Sequence, residues 1–181
     1  MTNAESAILS LIVEKPRHGY EMEQVIEERG MRQWTEVGFS SIYYLLKKLE
    51  KKAFISSQTV IVEGQGPARK VYSATPEGVA ACRQATIQAL GTPHRCYPPI
   101  QLGMANLYQV PAAEALEALK KHRDGLSRRL EHVRDRQASS PTMPRNVAFM
   151  FDHSLTMIEA ERQWLNRFIT HLEQELSEGA R

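Results

Sequence analysis

The chain has 181 residues, with 23 Lys or Arg against 21 Asp or Glu and a formal net charge of +2. At this length one or two domains fit, and a hydrophobic content of 42% is enough for a real core. No run of about 18 apolar residues occurs, which excludes a membrane-spanning helix. So small a net charge does not argue for nucleic-acid binding, and the position of the charges has to decide.

The N-terminus, MTNAESAILSLIVEK, is polar and then amphipathic. It lacks the basic-then-apolar order of a signal peptide, so a cytoplasmic protein is expected. Thr2 and Glu5 form a capping-box pattern that predicts a helix over Ala4–Glu14, with Ile8, Leu11 and Ile12 on one side and Pro16 beyond its end. A second helix is predicted from His18-Gly19-Tyr20, with Tyr20 (or Met22), Val25 and Ile26 as its apolar stripe and Gly30 as its stop. Met31–Gly38 reads as a connector.

The third helix, predicted over Ser40–Lys52, has two sharply different faces. Ile42, Leu45, Leu46 and Leu49 recur at i, i+3, i+4 and i+7 and share one buried side. Ser40, Tyr44, Lys47, Lys48 and Lys51 fall opposite, and Tyr43 lies at the border. Two β-rich runs follow, Phe54–Val62 and Ala68–Ser73, joined by a turn at Gly64, Gln65, Gly66 and Pro67. Thr75-Pro76 opens a fourth helix, reaching about Leu90. Helix–helix–helix–hairpin–helix is the order of a winged helix-turn-helix. A short helix with a tyrosine–lysine side suits a DNA major groove, and the hairpin suits the neighbouring backbone.

GTPHRCYPP, residues 91–99, reads as a linker between a domain at 1–90 and another at 100–181. A short helical stretch near Ile100–Tyr108 precedes two long helical patterns, Pro111 to about Gln137 and Pro144 to about Leu176. They would be roughly 40 and 50 Å long. Two such helices cannot bury both stripes against one small domain, so a second copy of the chain is expected to cover the remainder. Leu155, Ile158, Leu165, Phe168, Ile169 and Leu172 are the expected dimerisation residues. The fold class is therefore mainly α with a small β-hairpin wing: an N-terminal winged helix-turn-helix and a C-terminal antiparallel long-helix dimerisation domain.

At this point the chain resembles the PadR family of bacterial transcriptional regulators. His18-Gly19-Tyr20-Glu21, Ile42-Tyr43 with Leu46, Leu49 and Glu50, and Gly66-Pro67-Ala68-Arg69-Lys70-Val71-Tyr72 with Thr75 and Gly78 carry the resemblance. Glu114-Ala115-Leu116 after Pro111, and His153, Glu161, Trp164 and Leu165, extend it to the family's larger form. Three positions depart from the pattern. Tyr44 stands where the family usually has proline, Ala53-Phe54 where it usually has glycine, and Ala68 where a second wing proline often sits.

The resemblance implies a dimeric regulator that binds double-stranded DNA. Ser40, Ser41, Tyr43 and Tyr44 are assigned to base-edge or phosphate hydrogen bonds. Lys47, Lys48, Lys51 and Lys70 are assigned to phosphates, with Arg69 adding charge at the wing. A dimer with roughly eight such contacts should lose about 10³ or more in affinity between 50 and 200 mM salt. The resemblance also implies a small-molecule effector, phenolic or flat and aromatic, held near the domain junction. Tyr97, Tyr108, Met150, His153 and Trp164 are its candidate contacts, and the alternative is that they pack the helices. A ligand-independent regulator or activator, or a binding module without DNA, are the other readings.

Nothing points to catalysis. There is no G-x-S-x-G, GxxxxGK or HExxH, and no two histidines stand at i, i+4. Cys82 and Cys96 lack zinc or CxxC spacing and read as free thiols in a reducing compartment. No metal or cofactor is expected.

Overall fold

The computed structural model describes residues 1–35, 37–38, 41–60, 68–93, 97–140 and 142–179. It divides into two compact units, Met1–Arg95 and Cys96–Arg181.

In the first unit α1 spans Asn3–Glu14, β1 Arg17–His18, α2 Gly19–Glu28, α3 Ile42–Lys51, β2 Ile55–Val60, β3 Arg69–Ala74 and α4 Pro76–Gly91. The capping box at Thr2 is complete: Thr2 N–H donates to Glu5 Oε2 at 2.9 Å, and Glu5 N–H donates to Thr2 Oγ1 at 3.2 Å. Helices α3 and α4 and strand β3 all pack on α1, so Leu9 is buried as fully as Ile8 and Ile12. These join Met22 and Ile26 of α2, Ile42, Leu45, Leu46 and Leu49 of α3, and Ile55 and Tyr72 of the sheet in one core. Of the two candidates for the stripe of α2, Met22 is the buried one and Tyr20 is 63% exposed. Gly30 adopts φ 60 just past α2, as a helix stop requires.

The sheet corrects one expectation. The wing was predicted as two strands, and the structure has three, all antiparallel, in the order β1-β3-β2. Strand β2 pairs with β3 from Ile55↔Ala74 to Val60↔Arg69, while Arg17↔Tyr72 and His18↔Val71 close the other edge of β3. A strand of 2 residues is too short to show an alternating pattern. The predicted turn at 64–67 lies outside the described residues.

The join between α3 and β2 bears on the Ala53 departure. Ala53 N–H donates to Glu50 O and Phe54 N–H to Leu49 O, at 2.9 and 3.0 Å, which is a Schellman closure of α3. Ala53 takes the left-handed position with φ 56, where glycine is usual. Ala53→Gly should therefore stabilise the unit by about 0.5–1 kcal/mol, after allowing for glycine's greater freedom in the unfolded chain. A rise of a few degrees in Tm would show it. Beyond this join Thr75 caps α4 by accepting from Gly78 N–H at 3.0 Å. A Cβ on Gly78 would stand 1.9 Å from Phe54 O, so the close approach of α4 to this corner requires glycine.

In the second unit α5 spans Pro99–Ala105, α6 Ala112–Ala138 and α7 Arg145–Gly179. Helices α6 and α7 pack as an antiparallel pair. Leu126, Leu130, Ile158 and Leu165 are buried between them, and Ile100, Leu119, Val133, Leu155 and Trp164 close the sides. Lys120–Glu173 (3.0 Å) and His122–Glu161 (3.5 Å) tie the pair across, and Trp164 stacks on Phe168 at 5.3 Å.

Of the expected dimerisation residues, Ile158, Leu165, Ile169 and Leu172 are covered by this packing. All four are buried within a single chain. The stripe of α7 is wide enough to serve its own hairpin partner first. Leu155 and Phe168 remain half-buried, and Leu102, Tyr108, Phe149 and Met157 are the large apolar residues left exposed in this unit, together with Tyr97, Val110 and Met150.

Candidate nucleic-acid interface

Helix α3 puts its two chemistries on opposite sides. Ile42, Leu45, Leu46 and Leu49 anchor it in the core, each 5% exposed or less. Tyr43 and Tyr44 are 63% and 66% exposed, so Tyr43 belongs to the outer face rather than to the core border. Lys47 lies one turn further on and Lys51 one turn beyond that, both exposed and without an ion pair among the described residues. Two aromatic hydroxyls and two free ammonium groups thus share one accessible strip of a helix that the core holds rigidly.

Other predicted contacts are placed differently. Ser40 lies outside the described residues. Ser41 Oγ donates back to Gly38 O at 2.8 Å, so its hydroxyl closes the turn before α3. Lys48 pairs with Glu5 at 2.8 Å, and Lys70 of β3 pairs with Glu50 at 3.1 Å while lying 5.2 Å from the Tyr72 ring centre. Each of these two lysines therefore has a carboxylate partner within its own chain. The sequence placed their charges but not these partners, which are distant in sequence. Arg69 is exposed at the start of β3.

Glu50 links α3 to the wing. It accepts from Ser57 of β2 as well as from Lys70 of β3, and the Ser57 bond, then the Lys70 bond, hold its carboxyl below the usual range. The wing is in this way fastened to the end of α3. An open groove of about 430 Å³ lies beside the start of α2, α3 and β3. His18, Gly19, Tyr20, Gln24, Tyr43, Arg69, Lys70 and Tyr72 line it.

Two buried charges that the sequence reading passed over position this surface. Glu5 of α1 is 1% exposed and holds both Lys48 (2.8 Å) and Lys52 (2.9 Å), fixing the last turns of α3 to α1. Burial pushes its pKa up, but hydrogen bonds from Lys48, the Thr2 backbone and Lys52 outweigh that and leave it at about 2, against an ordinary 4.5. Because the folded value lies below the unfolded one, the stabilisation is full above about pH 4.5 and is lost as pH falls toward about 2. It amounts to about 3 kcal/mol at most, since both lysines are partly solvated. Glu5→Gln keeps the capping box but removes the charge, so its urea-unfolding free energy should fall less steeply than the parent's between pH 5 and pH 2.

Arg17 is the second, 2% exposed. Its Nε donates to Leu11 O at 3.0 Å, and its terminal nitrogens reach Glu14 (3.1 Å) and Glu21 (3.2 Å). The signal for it was present in Glu14-Lys15-Pro16-Arg17. Proline has no N–H to offer the last carbonyls of α1, and the next donor along the chain takes one of them.

The effector candidates are not gathered into one place within the second unit. Tyr97 precedes α5, and Tyr108 follows it at 83% exposed. Met150, His153 and Trp164 lie along α7, the first and last separated by roughly 21 Å of helix rise. Trp164 packs on the α6–α7 core. Cys82 is free and half-buried, and burial pushes its thiol pKa up, away from a reactive thiolate. Cys96, with Arg95, lies outside the described residues. Among the described residues no group of three or more His, Cys, Asp or Glu could hold a metal, and no helix is long and apolar enough to cross a membrane.

Comparison with known proteins agrees with this geometry. Residues 8–84, which hold the core of α1–α3, the wing and the start of α4, match the family described as Transcriptional regulator PadR-like family. No match is found among curated proteins. Three solved structures share the fold across both units. Bacillus subtilis PadR in complex with operator DNA is 20% identical, with a TM-score of 0.74 over 93% of this chain and 98% of that one. The same protein in complex with p-coumaric acid is 18% identical, with a TM-score of 0.76 over 93% and 98%. The PadR-like transcriptional regulator BC1756 from Bacillus cereus is 18% identical, with a TM-score of 0.68 over 95% and 99%. Residues 8–84 of the chain are thus similar to the PadR-like transcriptional regulators, and both units share the fold of the solved PadR structures.

Proposed function

We propose that this regulator is a homodimeric repressor that binds a palindromic promoter site in the cytoplasm. Helix α3 enters the major groove with Tyr43, Tyr44, Lys47 and Lys51 outward, and the wing meets the flanking backbone through Arg69. The observation that carries the reading is the strip on α3, because tyrosines and lysines unpaired among the described residues are exposed there in helical register on a helix locked from behind. The solved PadR relative held on operator DNA supports it.

Dimerisation rests on the apolar residues that a single chain leaves uncovered, chiefly Leu102, Tyr108, Phe149 and Met157 in the second unit. Burying each fully contributes about 1.5–3 kcal/mol, so a second copy is favoured over water as their cover. Two-fold symmetry places the half-sites about one helical turn apart, roughly 34 Å. The relative bound to p-coumaric acid supports a phenolic effector that weakens DNA binding, by biasing the spacing of the two α3 helices.

A gel shift with the promoter of the chain's own gene tests the reading. The parent should shift it, and Tyr43→Ala with Lys47→Ala should abolish the shift with little change in Tm. A double variant that binds as well as the parent would remove α3 as the reading helix.

A further inference from the structure

The start of α2 and the outer face of α3 meet at one point, and that meeting has a functional consequence. Gly19 is the first residue of α2. A Cβ built on it would lie 2.6 Å from Cε1 of Tyr43, 2.9 Å from Cζ and 2.9 Å from Oη. These are well inside the 3.5–4.0 Å of an ordinary contact between carbon atoms. The far end of the Tyr43 ring therefore occupies the space that any other side chain at position 19 would take.

Tyr43 is 63% exposed, so the core does little to hold its ring. The backbone of Gly19 supplies a flat seat for it instead. Seated there, the hydroxyl lies over the first residue of α2, in the groove shared with Arg69 and Lys70. A ring without this seat is free to take other rotamers, and its hydroxyl is then carried away from the groove.

We propose that Gly19 is a positioning residue for DNA binding: it seats the Tyr43 ring so that the hydroxyl is presented in advance to the duplex, at the junction of α2, α3 and the wing. The proposal rests on the DNA-binding reading above. Its content is that glycine at this position serves recognition and not folding. Position 19 has φ in the ordinary range and opens a helix, where alanine is the better residue. The three heavy atoms nearest to such a methyl group all belong to the exposed end of the Tyr43 ring, which has to move to admit it. Stability and function should then separate.

The test is Gly19→Ala, alone and together with Tyr43→Ala, measured by fluorescence anisotropy on the promoter fragment at 100 mM salt. Gly19→Ala should keep or raise Tm, lose the NOE between the Tyr43 ring and the Hα of residue 19 that is expected of the parent, and weaken DNA binding about ten-fold for the two sites of a dimer. In the Tyr43→Ala background Gly19→Ala should have no further effect on affinity. Parental affinity in Gly19→Ala would overturn the proposal, as would a full additional loss in the Tyr43→Ala background. A parent that binds no promoter DNA overturns the DNA-binding reading and this proposal with it. A parent that binds, with an unaffected Gly19→Ala, overturns this proposal alone.

Discussion

Replacing Arg17 by alanine should destabilise the first unit by about 3–5 kcal/mol, the largest loss expected from any single side chain outside the apolar core. The guanidinium is 2% exposed and has three acceptors: Leu11 O, Glu14 and Glu21. Removing it strands the Leu11 carbonyl in a place water does not reach, and an unpaired buried acceptor costs about 1–3 kcal/mol by itself. It also leaves a cavity where α1, β1 and α2 meet, and it releases the β1 residue that pairs with Tyr72 at the edge of β3. For a unit of this size the Tm should fall by on the order of 15 °C or more. Arg17→Met fills the cavity and should recover part of the loss, but not the hydrogen bond to Leu11. Arg17→Ala with a Tm within a few degrees of the parent would show that the ion pairs are dispensable and that water reaches the carbonyl.

The second large effect is on DNA binding. Among the described residues Lys47 and Lys51 are the α3 lysines with no carboxylate partner, whereas Lys48 pairs with Glu5. In a dimer the pair would supply four phosphate contacts, each contributing about −0.9 to the slope of log K against log salt. Lys47→Ala with Lys51→Ala should therefore make that slope shallower by about 3.6. At 100 mM salt the affinity should fall by a factor on the order of 10² or more. Lys48→Ala should differ: it should change the slope by less than either of the other two and lower stability instead, because it takes a partner from a buried carboxylate. Anisotropy titrations between 50 and 200 mM salt separate the two outcomes. Equal effects of Lys47 and Lys48 on the slope would mean that Glu5 releases Lys48 to the duplex.

Both expectations follow from how the first unit is assembled around α3. The apolar face of α3 sets where the helix lies. Glu5 through Lys48 and Lys52, and Glu50 through Ser57 and Lys70, set how its far end and the wing are held to it. Lysines that the sequence offers as candidate contacts are in part fastenings within the unit.

The helices and the two longer strands were legible from the residues alone, because each rests on a local cause. Thr2 with Glu5, Thr75 with Pro76, and Gly30 mark helix ends through bonds made within a few residues. The 3.6-residue period of Ile42, Leu45, Leu46 and Leu49 determines which side of α3 is buried and therefore which side carries Tyr44, Lys47 and Lys51. What only the tertiary structure decided are pairings between residues far apart in sequence. Glu5 meets Lys48, Arg17 enters the sheet opposite Tyr72, the Tyr43 ring occupies the space over Gly19, and the stripe of α7 is filled by Leu126 and Leu130 of its own chain. The physical reason is the same in each case. Periodicity reports that a side chain needs a partner on a given face, but which partner arrives depends on how whole elements pack, and no local pattern encodes that.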